Sequence, residues 1–284
     1  MIDLHMHSTY SDGTLTPQEL LNYAKEKKLK AIALTDHDTV NGIESFLSVE
    51  TDILQISGVE ISIDFDPGTF HLVGLFINHN DKNLKTKLEK LKKYRRKRNI
   101  KLVELIKNHF GIEISLSDLQ KDIDGEIGRP HIAKFLIDQG IVSSTQEAFD
   151  KYLGKGKPLY IAKKRYSAIE GIDMIKKAGG ISIIAHPITL DLENEQFDKF
   201  TKELIEYGLG GIEVFCSLHT KNDSKFYLEI AKKYNLFISA GSDFHGLNKT
   251  DVDLGITNCP EKYQKTIYTN LLTYYEKKTK IILS

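Results

Sequence analysis

Cysteine occurs only as Cys216 and Cys259 in this chain of 284 residues, and no Cys-x-x-Cys pair is present. Neither a disulfide framework nor a thiolate zinc finger can therefore organise it. An excess of charge of one sign is also missing: 39 Lys and Arg balance 39 Asp and Glu, with a pI near 7.2. A protein built to hold duplex nucleic acid is usually basic overall, so no stable duplex partner is expected. No run of roughly 18 apolar residues exists to span a bilayer, so no membrane partner is expected. The opening Met1-Ile2-Asp3-Leu4-His5 lacks the basic and apolar regions of a secretory leader, and the expected compartment is the cytoplasm. With only 20 Gly and 6 Pro, collagenous and low-complexity chains are excluded as well.

What is present is an ordinary globular composition, 40% hydrophobic and 27% charged, in a length that buries roughly 75% of the unfolded surface. Short apolar runs alternate with amphipathic helical segments. Strands are expected at Ile2–Leu4, Ala31–Leu34, Ile53–Ile63, His71–Ile77, Ile181–Ala185, Gly211–Phe215 and Leu236–Ala240. Helices are expected between them, the first opened by Thr16-Pro17-Gln18-Glu19 and the last covering about Glu261–Lys278. This βα rhythm implies an α/β fold with a mostly parallel sheet, open or closed into a barrel. Residues 82–164 interrupt the rhythm with helices and little strand signal. They are expected to form a helical insertion, with 1–81 and 165–284 forming the sheet domain. Segment 82–107 carries twelve Lys and Arg against two acids, and 151–177 carries eight against two. Such runs read either as solvated faces or as a basic wall over an acidic, metal-bearing cleft.

The placing of the histidines is the informative feature. Of ten, six lie at strand ends or in the turns just after them: His5, His7, His37, His71, His186 and His245. Asp12, Glu60 and Asp243 occupy matching places. His5-Met6-His7 puts two imidazoles on one strand face, because alternate residues share a face. The others sit in Ser11-Asp12-Gly13, Thr35-Asp36-His37-Asp38, Gly58-Val59-Glu60, Phe70-His71-Leu72, Ala185-His186-Pro187 and Ser242-Asp243-Phe244-His245. Functional groups of parallel α/β folds gather at the carboxyl ends of strands, so these nine are expected at one mouth. Imidazole with carboxylate and no thiolate suits Zn, Mn or Fe in a catalytic site. Nine ligands exceed one ion and suit two or three divalent ions, spaced roughly 3.5–4 Å apart in the arrangement that clamps a phosphoryl displacement. Asp36 and Asp38 flank His37 and are expected to orient imidazoles. His79 and His109 have no partner motif and are read as structural.

These motifs together resemble the PHP family, whose name stands for polymerase and histidinol phosphatase. The resemblance spans residues 5 to 245. It implies a distorted (β/α)7 barrel, a trinuclear metal site and phosphoester hydrolysis by a hydroxide generated at the ions. It also implies ligand sets: His5, His7, Glu60 and Asp243 for one ion; Glu60, His71 and His186 for a second, with Glu60 bridging; and Asp12, His37 and His245 for the third. Gly128-Arg129-Pro130-His131-Ile132-Ala133, Glu147-Ala148-Phe149-Asp150-x-Tyr152-Leu153-Gly154 and Ser217-x-His219-Thr220 are similar to one subgroup. That subgroup contains nucleoside 3′,5′-bisphosphate phosphatases and 5′-to-3′ exoribonucleases. A small phosphorylated nucleotide or a short 5′-phosphorylated RNA is the implied substrate.

The residues fit that reading. Pro130 suits the first position of a helix, so Arg129, His131 and free backbone N–H groups would form an anion site. Ser217 and His219 follow a strand and would face the mouth, His219 as a candidate for leaving-group or phosphate stabilisation. The competing readings are a histidinol-phosphate or other small-molecule phosphatase with the same core, a metal-dependent amidohydrolase, and a non-enzymatic PHP-type module that binds nucleic acid or serves a polymerase. The last is expected on a much longer chain. The last helix could pack on the barrel or form an oligomer contact, and packing is favoured.

Overall fold

The computed structural model describes residues 1–120 and 127–283. The chain divides into two compact units, Met1–Leu88 with Arg165–Ser284, and Glu89–Lys164.

The first unit is built on seven strands in the order of the sequence: β1 (Ile2–Met6), β2 (Ala31–Leu34), β3 (Leu54–Ile63), β4 (Phe70–Leu75), β5 (Ile181–Ile184), β6 (Gly211–Cys216) and β7 (Phe237–Gly241). The last strand returns to the first. Asp243 N–H donates to the His5 carbonyl at 2.9 Å, and His7 N–H to the Phe244 carbonyl at 2.9 Å. The sheet is therefore nearly closed, a distorted seven-stranded barrel. The strands read as continuous apolar runs because both their faces are covered. Helices α1 (Pro17–Glu26), α2 (Ile43–Leu47), α7 (Ala168–Lys177), α8 (Asn194–Tyr207), α9 (Lys221–Lys233) and α10 (Glu261–Leu283) complete this unit. Reciprocal capping boxes start three of them: Thr16 with Glu19, Ser167 with Glu170, and Thr220 with Asp223. Each cap is worth about 1 kcal/mol. Thr220 of the Ser-x-His-Thr motif is thereby accounted for as the cap of α9.

One strand runs against the expectation of parallel order. β4 pairs antiparallel with both β3 and β5, Glu60 opposite Val73 and Leu72 opposite Ile184. The reason is local. Only residues 64–69 connect β3 to β4, too few for a crossover, which needs a dozen or more. His71 consequently sits at the amino end of its strand, not the carboxyl end. Reversal brings that end to the same mouth. Glu60 likewise lies inside β3, which continues three residues beyond it.

Helix α3 (Lys82–Phe110) begins within the first unit and ends in the second. The second unit also holds α4 (Leu116–Gln120), α5 (Arg129–Asp138), α6 (Thr145–Ala148) and the wide turn Phe149–Leu153 that continues it. It has its own core, in which Leu102, Ile106, Ile132, Leu136 and Leu153 are buried together.

Candidate metal centre

Each strand end delivers its side chains as the local chain dictates. β1 places His5 and His7 on one face, both fully buried, with ring centroids 5.2 Å apart. The turn after β1 is pinned by Asp36, whose carboxylate accepts from Ser8 N–H at 2.7 Å, Ser8 Oγ at 2.7 Å and Ser11 Oγ at 2.6 Å. This turn carries Asp12. His37 bridges to Glu60 through the backbone just beyond β2. Asp38 holds β3 by accepting from Ser62 N–H at 3.0 Å. Asp36 and Asp38 thus act by fixing the segments that carry ligands; the described hydrogen bonds of Asp36 go to serines, not to an imidazole. His186 and Asp243 follow β5 and β7 with φ of 26° and 60°. Strained backbone of this kind at non-glycine residues costs about 1–3 kcal/mol each and collects at functional sites.

Glu60 stands at the centre, completely buried. Its Oε1 lies 2.9 Å from His71 Nδ1 and 3.0 Å from His186 Nε2. Its Oε2 lies 2.8 Å from His37 Nδ1 and 3.3 Å from both His5 Nε2 and His7 Nε2. Asp243 Oδ1 is 3.2 Å from His7 Nε2 and 3.5 Å from His5 Nε2. Asp12 closes the other side, 3.4 Å from His245 Nε2 and 3.7 Å from each of His7 Nδ1 and His37 Nε2. All nine residues singled out in the sequence meet here. Three groups have ligand atoms close enough to hold an ion: His5, His7, Glu60 and Asp243; His7, Asp12, His37 and His245; and His37, Glu60 and His71. The first matches one implied set. In the others His7 and His37 are shared, and His186 lies 3.3 Å from His71, against Glu60.

Electrostatics set the protonation of these groups. Burial, and then the like charges of His245 and His37, push His7 down to about 3. Burial takes His71 down to about 4 against the pull of Glu60. Burial also opposes ionisation of Glu60, but His37, His71 and His5 outweigh it and hold the carboxyl well below its ordinary range. Asp243 is lowered in the same way, burial being overcome by His7 and His5. His5 is the exception: burial disfavours its cation, yet Glu213 and Glu60 raise it well above the usual value. Carboxylates ionised and imidazoles neutral are the forms that bind metal. The buried atoms His5 Nε2, His7 Nε2, Asp12 Oδ1 and Glu60 Oε2 have no hydrogen-bond partner among the described residues. A buried polar atom left unsatisfied costs about 1–3 kcal/mol. Divalent ions accepting these lone pairs would remove that cost, so the oxygen and nitrogen donor set fits Zn, Mn or Fe.

Three residues of the site escaped the sequence reading. Glu213 is the lone acid of β6 and fully buried; its Oε1 accepts from His5 Nδ1–H at 3.0 Å, and its Oε2 from His186 N–H at 2.6 Å. Asp3, pushed up to about 6 by burial, accepts from the backbone of Ser242 and Gly255 and so ties the loop after β7 to β1. Lys249 holds Asp243 Oδ2 at 2.8 Å. A single acid inside an apolar strand was the available signal for Glu213 and Asp3. Nothing in the sequence marked Lys249.

The residues expected to touch substrate lie apart in the chain. In the second unit α5 starts at Arg129, whose guanidinium is 5.9 Å from the ring centroids of both Phe149 and Tyr160. His131 Nδ1 accepts from Gly128 N–H at 2.9 Å, which leaves its proton on Nε2 as a donor. In the first unit His219 is buried, and its Nδ1–H donates to the Val214 carbonyl at 3.0 Å. Burial lowers its pKa. Its Nε2 and the Ser217 hydroxyl have no hydrogen-bond partner among the described residues. The neutral ring therefore offers Nε2 as an acceptor. Donation to a phosphate or a leaving oxygen would require a second proton that burial disfavours.

Comparison with known proteins places this arrangement. A profile of the PHP domain matches residues 3–242. A 5′-3′ exoribonuclease of Haemophilus influenzae is 34% identical over 245 residues, 86% of this chain and 89% of that protein. A 3′,5′-nucleoside bisphosphate phosphatase of Chromobacterium violaceum is 31% identical over 267 residues, 90% of this chain and 91% of that one. Among solved structures, a protein of Bifidobacterium adolescentis assigned as a metal-dependent phosphoesterase is 28% identical, with a TM-score of 0.77 over 94% of both chains.

Proposed function

The chain belongs to the PHP domain family of metal-dependent phosphoesterases, and from that premise we propose that it removes the 3′-phosphate of nucleoside 3′,5′-bisphosphates and trims short 5′-phosphorylated RNA. The observation that carries the two-phosphate reading is the setting of Arg129. The guanidinium lies 5.9 Å from the ring centroids of both Phe149 and Tyr160, at the outer reach of a cation–π contact, a setting that suits an arginine better than a lysine. Beside it, at the start of the same helix, His131 has its donor fixed on Nε2. A guanidinium at a helix amino end suits a phosphate monoester that does not react.

The reacting phosphate is assigned to the nine-residue centre. Three ions are assigned to the three groups, which share His7, His37 and Glu60. Bound divalent ions supply Lewis acidity, lowering the pKa of water and neutralising phosphoryl oxygens. The protein's own part is to present ligands in the correct protonation state. His7 and His71 are neutral at pH 7, Glu60 and Asp243 are ionised, and Lys249 fixes Asp243 so that Oδ1 faces His5 and His7. His219 Nε2 is assigned to accept from a ribose hydroxyl, and Ser217 to a neighbouring polar contact.

The RNA arm of the reading draws on α3. Lys90, Lys93, Lys97 and Lys101 recur on one face, all exposed, with no ion pair among the described residues. Four cations in a row on a helix suit successive phosphates of a single strand. Phosphate release from a 3′,5′-bisphosphate, compared with the 3′-monophosphate, tests the proposal. A preference for the bisphosphate supports it, and equal rates oppose it.

A further inference from the structure

Of the seven strands, β6 is the one that supplies none of the nine residues at the centre, yet it carries Glu213. The distance Glu213 must span is informative. β6 pairs with β7, and β7 lies between it and β1. To meet His5 on β1, the Glu213 carboxylate has to pass across β7. It does so at Gly241. A Cβ built on Gly241 would lie 2.5 Å from Glu213 Oε1 and 2.2 Å from His5 Cβ, both inside any permitted contact. The absent side chain is the opening through which the contact is made.

The two oxygens then do different things. Oε1 accepts from His5 Nδ1–H at 3.0 Å, which orients the ring and leaves Nε2 as the atom turned away from Glu213. Nε2 is the atom 3.3 Å from Glu60 Oε2 and 3.5 Å from Asp243 Oδ1. Oε2 accepts from the backbone N–H of His186 at 2.6 Å, at a residue with φ of 26° that needs an external tether to hold it. With its backbone anchored, His186 turns its ring to Thr189 through Nδ1 at 3.0 Å and to Glu60 through Nε2 at 3.0 Å.

We infer that Glu213, acting through the opening at Gly241, is a positioning residue that couples two metal groups, aiming His5 into the group with His7, Glu60 and Asp243, and His186 into the neighbourhood of Glu60 and His71. Glu213 makes no hydrogen bond to the group of His7, Asp12, His37 and His245 among the described residues. The inference rests on the reading that these groups hold ions.

Glu213→Gln tests it. An amide has one accepting oxygen, and its NH2 faces the second of the two donors, so one tether must break while volume and fold are kept. Mn2+ binding to wild type and to E213Q is followed by equilibrium dialysis against graded free Mn2+ with metal analysis of the protein. Losses at supporting contacts of metal ligands are roughly 10–100-fold in affinity. The expected result is a loss of that size at two of the Mn2+ steps, with the remaining step unchanged and the unfolding midpoint in chelator close to wild type. Gly241→Ala, which blocks the passage without altering charge, is expected to weaken the His5 step in the same way. An E213Q isotherm that superimposes on wild type would overturn the inference alone. Equal weakening of every step with a collapsed unfolding midpoint would also overturn it, by reducing Glu213 to a structural residue. Wild-type protein that binds no Mn2+ would remove the ion-site reading and this inference with it.

Discussion

On the proposed two-phosphate reading, replacing Arg129 by Ala should remove a preference for the bisphosphate over the monophosphate without changing metal binding. A hydrogen bond between charged partners contributes about 1.5–3 kcal/mol. At about 1.4 kcal/mol per tenfold, that is roughly 10- to 150-fold in kcat/KM. The setting of Arg129 favours the upper part of this range. Fixing a free arginine side chain costs up to about 2 kcal/mol of rotamer entropy, and two aromatic rings, each 5.9 Å from the guanidinium, narrow the space it has to search. Arg129→Lys should restore little, because an ammonium cannot reproduce the planar fork or the stacking. The assay is phosphate release from adenosine 3′,5′-bisphosphate and adenosine 3′-monophosphate at matched Mn2+, with bound metal measured on the same samples. The ratio of the two kcat/KM values should fall toward one in R129A, through loss on the bisphosphate alone. A ratio that stays at the wild-type value, or equal losses on both substrates, would refute the reasoning.

Three further outcomes are expected. Reversing charge at Lys93 and Lys97 should weaken turnover of a 5′-phosphorylated RNA and flatten its salt dependence, with the bisphosphate rate as the comparison; an unchanged salt slope would argue for a merely solvated face. Burial pushes Cys259 up to about 12 and Cys216 well above the ordinary thiol range, so neither should react with a thiol reagent at pH 8 until the protein is unfolded, and rapid labelling of the native protein would contradict this. Chelated protein should lose stability from pH 6.5 to pH 5. The folded-state pKa values of His7 and His71 are depressed to about 3 and about 4, so over this window the unfolded chain takes up protons that the folded chain refuses. Asp3, raised to about 6, works in the opposite direction and recovers part of the loss. These three groups together give a loss on the order of 2 kcal/mol by denaturant unfolding, and a gain in stability on acidification would contradict the assignment.

Much of the barrel was legible because its strands are short apolar runs separated by capped helices. Ala31–Leu34 falls where the run predicts, and the other strands differ by a few residues at their ends. The reversal of β4 was not seen, since apolar runs buried on both faces carry no direction. The six-residue connection 64–69 held that information in its length. The centre was legible because its candidate ligands are marked locally: all but Glu60, which lies inside β3, are a His or Asp in a turn or at a strand end, and closure of the sheet brings them together. What holds the ligands was not. Glu213 makes sense only once residue 241 is known to lie between it and His5, and Lys249 only once the loop after β7 folds back on Asp243. These contacts depend on which strands are neighbours, and no spacing in the sequence encodes that. His219 was correctly placed after a strand, but its acceptor character follows from the Val214 carbonyl, which fixes the tautomer.

The most direct measurement is Mn2+-supported phosphate release from adenosine 3′,5′-bisphosphate, set beside adenosine 3′-monophosphate and histidinol phosphate. The proposed two-phosphate reading predicts strong preference for the bisphosphate and no turnover after chelation. Equal or faster turnover of histidinol phosphate would contradict the two-phosphate account and leave a phosphoesterase of another substrate class.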